Sequence, residues 1–183
     1  MKQIIIVFFT FLNILSFSQS DIRQNQEWEV SSSSIKFKIK NAGISVSGTF
    51  SELTAKINFD ETKKTGNSIE ATINSKTVNT DNNSRDEHLK KTEYFDIITY
   101  PKISMKATQF VKDKNGNWIG LFKLTIKGIT KEIYVPFVFS NKDNNTTIKG
   151  TFTINRLDYT IGKSSMILAD NVIITIELLT NKK

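Results

Sequence analysis

Apolar and polar residues alternate one for one over long stretches of this chain, and that period of two constrains the fold more than any other feature. Ile35, Phe37 and Ile39 interleave with Lys36, Lys38 and Lys40, the pattern of a strand with one face buried and the other in water. The same beat recurs at Ile69, Ala71 and Ile73, at Ile103, Met105 and Ala107, and at Ile133, Val135, Phe137 and Phe139. Turn chemistry separates the runs. Asp113-Lys114-Asn115-Gly116 reads as a hairpin because Asn-Gly accepts positive φ, and Lys127-Gly128 as a second tight turn. Eight strands are expected, at about 34–40, 44–59, 67–77, 102–112, 117–126, 130–140, 146–155 and 171–180. The second is too long to lie flat and its parity shifts, so Gly48 is the expected kink. Short turns between most neighbours predict an up-and-down antiparallel order. Closing eight such strands into a barrel removes the sheet edges.

The inward faces decide what such a barrel could hold. One parity collects Phe37, Ile39, Val46, Ile73, Ile103, Met105, Phe122, Leu124, Phe137, Phe152 and Ile174, and nothing ionisable interrupts that set. Strands of ten residues at ~3.3 Å per residue span about 30 Å, enough for an elongated guest. Periodicity does not separate an apolar tunnel from a packed interior. Two readings therefore stand at this point: a carrier with a ligand channel, and a filled-barrel interaction or stress-response module without a lipid.

Gross features narrow the field. A chain of 183 residues suits one domain. Cysteine is absent, which excludes a disulfide framework, a thiolate metal site, a cysteine nucleophile and a lipoprotein anchor. The formal charge of +7 is spread along the chain, and no basic cluster with interleaved aromatics suggests nucleic acid. Residues 1–18 read as a signal peptide: Lys2, then an apolar run from Ile4 to Phe17, then small residues at Ser16 and Ser18. Cleavage after Ser18 would leave a single domain of residues 19–183, periplasmic or secreted, and able to make transient membrane contact.

The excursion from Thr80 to Pro101 is the one segment that reads as helix, and it holds the chain's single histidine. Ser84 to Glu87 has the capping-box form, predicting a short α-helix over about 84–92. Leu89 and Phe95 are its apolar anchors, and Arg85 with Asp86 reads as a clasp tying the helix to strand ends. Asp86 and His88 are two residues apart, so on a helix they diverge and make no acid–base pair. No metal-ligand spacing is present and no cofactor is implied. Arg85, Lys90, Lys91 and Arg156 are the cations that could meet an anionic head group.

These residues resemble the signature of the YceI family of exported lipocalin-like proteins. The resemblance rests on Val78-Asn79-Thr80, Arg85-Asp86-Glu87-His88-Leu89, Tyr94-Phe95-Asp96 and Tyr100-Pro101, on Ser34-Ile35-Lys36-Phe37 and Gly48-Thr49-Phe50, and on the blocks Leu124 to Lys131 and Phe152 to Tyr159. It implies an all-β, eight-stranded antiparallel barrel with one short helix between the third and fourth strands. It further implies a long apolar channel for a polyisoprenoid or similar lipid, and no catalysis. Where the family often has a histidine after the first strand, this chain has Asn41.

Overall fold

The computed structural model describes residues 26–142 and 145–183, so the expected signal peptide lies outside the described residues. Its strands are β1 (Glu27–Asn41), β2 (Ile44–Phe50), β3 (Thr54–Asn58), β4 (Ser68–Asn74), β5 (Lys102–Lys112), β6 (Trp118–Ile126), β7 (Ile129–Lys142), β8 (Asn145–Asn155) and β9 (Asn171–Lys182). Every pairing is antiparallel, and β1 pairs with β9 from Trp28↔Lys182 to Lys38↔Ile173, which closes the sheet. The segments β2 and β3 flank the same strand, pairing with the late and early parts of β1 respectively. Counted as one interrupted stave they give the expected eight-stranded barrel.

Three boundaries differ from the sequence expectation. β1 starts at Glu27 rather than near residue 34, because the Ser31-Ser32-Ser33-Ser34 run, silent in hydrophobicity, is held by the β9 ladder across a bulge between Val30 and Ser32. Tertiary pairing overrides weak local preference there. The long second strand does not bend at Gly48. It breaks at residues 51–53, where Glu52 takes φ 58° and its carboxylate accepts from Asn74 Nδ2 at 2.7 Å. Gly48 serves close approach instead: a Cβ there would lie 2.3 Å from Phe37 Cζ, its cross-strand partner. β4 ends at Asn74, whose side chain caps a 3₁₀ turn at Ser75–Thr77.

The hairpins at the two ends separate the barrel into distinct halves. The β1–β2 turn, the β4–β5 excursion, the β6–β7 turn and the β8–β9 loop lie at one end, called the upper end below. At the lower end an aromatic cluster fills the barrel. Phe59 is fully buried, with ring centroids 4.9–5.6 Å from Phe110, Trp118, Phe137 and Phe139. Trp28 packs edge-on against Phe139, and its indole N–H donates to the Phe59 carbonyl at 2.8 Å. Trp28 thus plugs this end from within β1. Phe122 and Phe137 join this packed floor rather than a channel, a correction to their expected place.

Candidate functional site

Above the aromatic floor the barrel is open. A cavity of about 590 Å³ lies between the walls, within the ~300–1,000 Å³ typical of small-molecule sites. It follows β1 from Ile35 to Asn41, about 20 Å at ~3.3 Å per residue. Nine residues from the expected inward set line it: Phe37, Ile39, Val46, Ile73, Ile103, Met105, Leu124, Phe152 and Ile174. Alternation finds them because their strands each turn one face inward. It also points to Ile126, Ile154, Val172 and Ile176, which share those parities and line the cavity too. Ile161 and Leu168 come from the β8–β9 loop, where no periodicity could have signalled them.

Lys36, Thr72 and Ser104 line the cavity from within β1, β4 and β5, and most of the other polar lining gathers at the upper end. Asn41, Asn82, Ser84 and His88 are exposed and line the cavity, so they mark its mouth. Helix α1 (Asn83–Leu89) lies there, shorter than expected and capped differently. Asn82, not Ser84, is the N-cap, and its side chain accepts from the Arg85 amide at 2.9 Å. Asn serves as well as Ser in that role, and Asp81 at φ 58° turns the chain into it two residues earlier than a cap at Ser84 would require. Ser84 is thus a helix residue facing the mouth. Leu89 lines the cavity, and Phe95 packs edge-on against Phe50 of β2 at 5.4 Å, itself 5.5 Å from Phe37.

The expected Arg85–Asp86 clasp exists but passes through a third residue. Asp86 is buried, and its Oδ1 accepts from both the amide and the hydroxyl of Thr80. Arg85 Nε donates to Thr80 Oγ1 at 2.8 Å, and its Nη2 to the Thr80 carbonyl at 2.7 Å. Thr80 therefore relays between the two charges. Asn79 exchanges backbone hydrogen bonds with Thr49 of β2, so the hub ties α1 to the barrel wall. Arg85 Nη1 makes no hydrogen bond among the described residues and belongs to a residue that lines the cavity.

The other head-group candidates separate. Lys90 pairs with Glu87 at 2.7 Å, and neither Lys90 nor Lys91 lines the cavity. Arg156 does line it but is only 2% exposed, and its donors are committed. Nε reaches the Ala169 carbonyl, Nη1 the Ile161 carbonyl, and Nη2 both the Leu168 carbonyl and Asp170 Oδ1. A buried guanidinium satisfied by carbonyls holds a loop in place; it is corrected here from head-group contact to loop anchor. Beside it Tyr159 is buried with its hydroxyl unpartnered, and desolvation, aided by the Asp158 charge, pushes that hydroxyl up to about 12.

His88 stacks edge-on against Tyr94 at 4.9 Å, while Asp86 is turned to Thr80. Among the described residues no three His, Asp or Glu side chains converge as metal ligands. What the arrangement can do chemically is hold an apolar body behind a polar mouth at which Arg85 presents Nη1.

Comparison with known proteins agrees with this geometry. Residues 27–179 match the YceI-like domain. A UPF0312 protein of Yersinia enterocolitica is 27% identical over 112 residues, covering 61% of this chain and 58% of that one. Another, from Pectobacterium carotovorum, is 31% identical over 100 residues, or 54% and 52%. The matches thus span little more than half the length of these relatives. BcnA of Burkholderia cenocepacia superposes with TM-score 0.77 at 23% identity, over 80% of this chain and 95% of that one. The YceI protein of Campylobacter jejuni gives 0.68 at 26% identity, over 74% and 84%. A polyisoprenoid-binding domain from Saccharophagus degradans gives 0.69 at 12% identity, over 88% and 100%. The chain belongs to the YceI-like domain family.

Proposed function

We propose that this protein is an exported carrier or sequestering protein that holds a polyisoprenoid or similar long-chain lipid in the upper half of its barrel, with no catalytic step. The observation that carries the reading is the cavity of about 590 Å³, walled mainly by aliphatic and aromatic side chains for about 20 Å, with most of its polar lining at the mouth. Moving a hydrocarbon chain into such a space gains ~0.8 kcal/mol per methylene, so affinity needs few polar contacts. The resemblance in fold to a polyisoprenoid-binding domain supports the same class of ligand.

At the mouth, Arg85 is the residue suited to a phosphate or other anionic head group. Two of its nitrogens are fixed by Thr80 and Nη1 is left to donate, which orients the guanidinium before any ligand arrives. Asn82, Ser84 and His88 surround it with further polar atoms. Export rests on the leader read in residues 1–18.

Mass spectrometry of organic extracts from the purified protein, paired with uptake of a fluorescent polyprenyl probe, tests the reading. Co-purified long-chain lipid and saturable uptake are expected. A clean absence of both would overturn it.

A further inference from the structure

The upper rim of the barrel carries an apolar tip that the interior does not use. Ile44 is 70% exposed, Ile167 is 63% exposed and Met166 stands fully in solvent. They belong to two segments joined through their backbones. The Ala42 amide donates to the Ile167 carbonyl at 2.7 Å, the Ala169 amide donates to the Lys40 carbonyl at 2.9 Å, and Asn41 bridges to Leu168. The β1–β2 turn and the β8–β9 loop therefore form one tied projection. It borders the cavity, because the bridged residues Asn41 and Leu168 are part of the lining. Ile44 also continues the inward parity of Val46, Gly48 and Phe50, so the apolar wall runs out onto the tip.

Charge completes the pattern. Lys40 and Lys163 flank the tip, exposed and outside the ion pairs of the described residues. The nearby carboxylates are Asp170, which is held by Arg156, and Glu93, which lines a hollow beside the loop. Val111, Tyr134 and Val138 are also exposed, but on the strands β5 and β7 of the barrel wall, where scattered apolar residues are ordinary.

We propose that this projection is a membrane-docking edge: it seats in the interface of an anionic bilayer and turns the cavity mouth toward the lipid. Aliphatic tips can sink below the headgroups while lysine ammoniums stay level with the phosphates. A stable protein partner would need a broad complementary face of about 800 Å², and a narrow tip of three side chains does not supply one. The inference rests on the lipid-binding reading of the cavity, and its test separates the two.

The test is flotation of the purified protein with phosphatidylcholine–phosphatidylglycerol vesicles. Binding is expected, and it should weaken with phosphatidylcholine alone or at raised salt. The triple variant Ile44→Ser, Met166→Ser, Ile167→Ser should bind about tenfold more weakly or worse, and Lys40→Glu with Lys163→Glu should abolish the preference for anionic vesicles. Val138→Ser on the barrel wall should bind as the parent does. Because none of the tip side chains lines the cavity, the triple variant should keep uptake of a polyprenyl probe delivered from ethanol while losing uptake from vesicles. Parent protein that fails to float, or a triple variant that floats equally well, overturns the docking edge. So does a change in the parent's oligomeric state, by sedimentation velocity, that accounts for the tip. Normal flotation with no probe uptake from either source would remove the carrier reading and leave the docking edge standing.

Discussion

Tyr159 buries a phenol whose hydroxyl has no partner among the described residues. Removing that oxygen removes an unsatisfied group, so Tyr159→Phe should be neutral or stabilising by up to about 1 kcal/mol in urea unfolding. The alkaline limb follows from the same burial. The folded-state value is raised to about 12 from the ordinary 10.0, so the unfolded chain ionises first as pH climbs. This group's contribution is intact below pH 10 and is lost as pH rises from 10 to about 12. The phenylalanine variant should show a shallower loss of stability over the same window. Gly48 makes a second case at this scale. Phe37 lies where a Cβ would go, so Gly48→Ala should cost about 1–3 kcal/mol and displace Phe37 from the cavity wall. Retained stability with an unshifted Phe37 ring environment, read by NMR, would contradict it. Of these residues, sequence reading singled out Gly48 and assigned it a kink. Close approach between a glycine and a ring across two strands depends on register, which composition does not reveal.

Two elements owe their positions to a single polar residue each. The β8–β9 loop is gathered by Arg156, whose guanidinium takes three carbonyls and one carboxylate. Arg156→Leu leaves those carbonyls and Asp170 without donors, and should cost about 3–5 kcal/mol in denaturant unfolding. Amide hydrogen exchange should quicken across residues 161–169 and stay slow in β4 to β7. Helix α1 is seven residues long, too short to stand without tertiary contact, and Thr80 supplies the polar part of that contact. Thr80→Val keeps the shape but removes the hydroxyl relay between Arg85 and Asp86. A loss of about 1–3 kcal/mol is expected, with α1 the first segment to lose exchange protection. The helix, its apolar anchors and its clasp were legible in the sequence from Leu89, Phe95, Arg85 and Asp86. Thr80 as the hub was not, because a hydroxyl's partners depend on where the backbone brings it.

The whole molecule is a barrel filled at one end and hollow at the other, and substitutions should sort by which half they enter. Ala71 lies on the cavity wall opposite Met105 in the β4–β5 ladder. Ala71→Phe projects a ring into existing space, so stability should change by less than about 1–2 kcal/mol while polyprenyl-probe uptake falls by about tenfold or more. Phe59→Leu in the floor should do the reverse. Loss of the ring that four aromatics pack against should cost about 2–4 kcal/mol, with uptake unchanged at temperatures where the protein stays folded. Equal effects of both variants on uptake would show that floor and cavity are not independent.

By itself the sequence determined the strand count, the antiparallel order, the closed barrel and most of the cavity wall. Those follow from local periodicity and turn chemistry, which a chain carries wherever it goes. Tertiary structure alone decided which inward residues pack and which face a void. Phe122 and Phe137 share an alternating pattern with Phe152 and Leu124, yet the first pair meets Phe59, Phe110 and Trp118 while the second borders open space. It also decided that Arg156 is a bolt with every nitrogen committed, while Arg85 keeps Nη1 outside its bonds to Thr80. Both are arginines beside apolar runs, and the difference lies in which carbonyls converge on them. Filling and satisfaction depend on distances between strands far apart in the chain, and no local pattern records those distances.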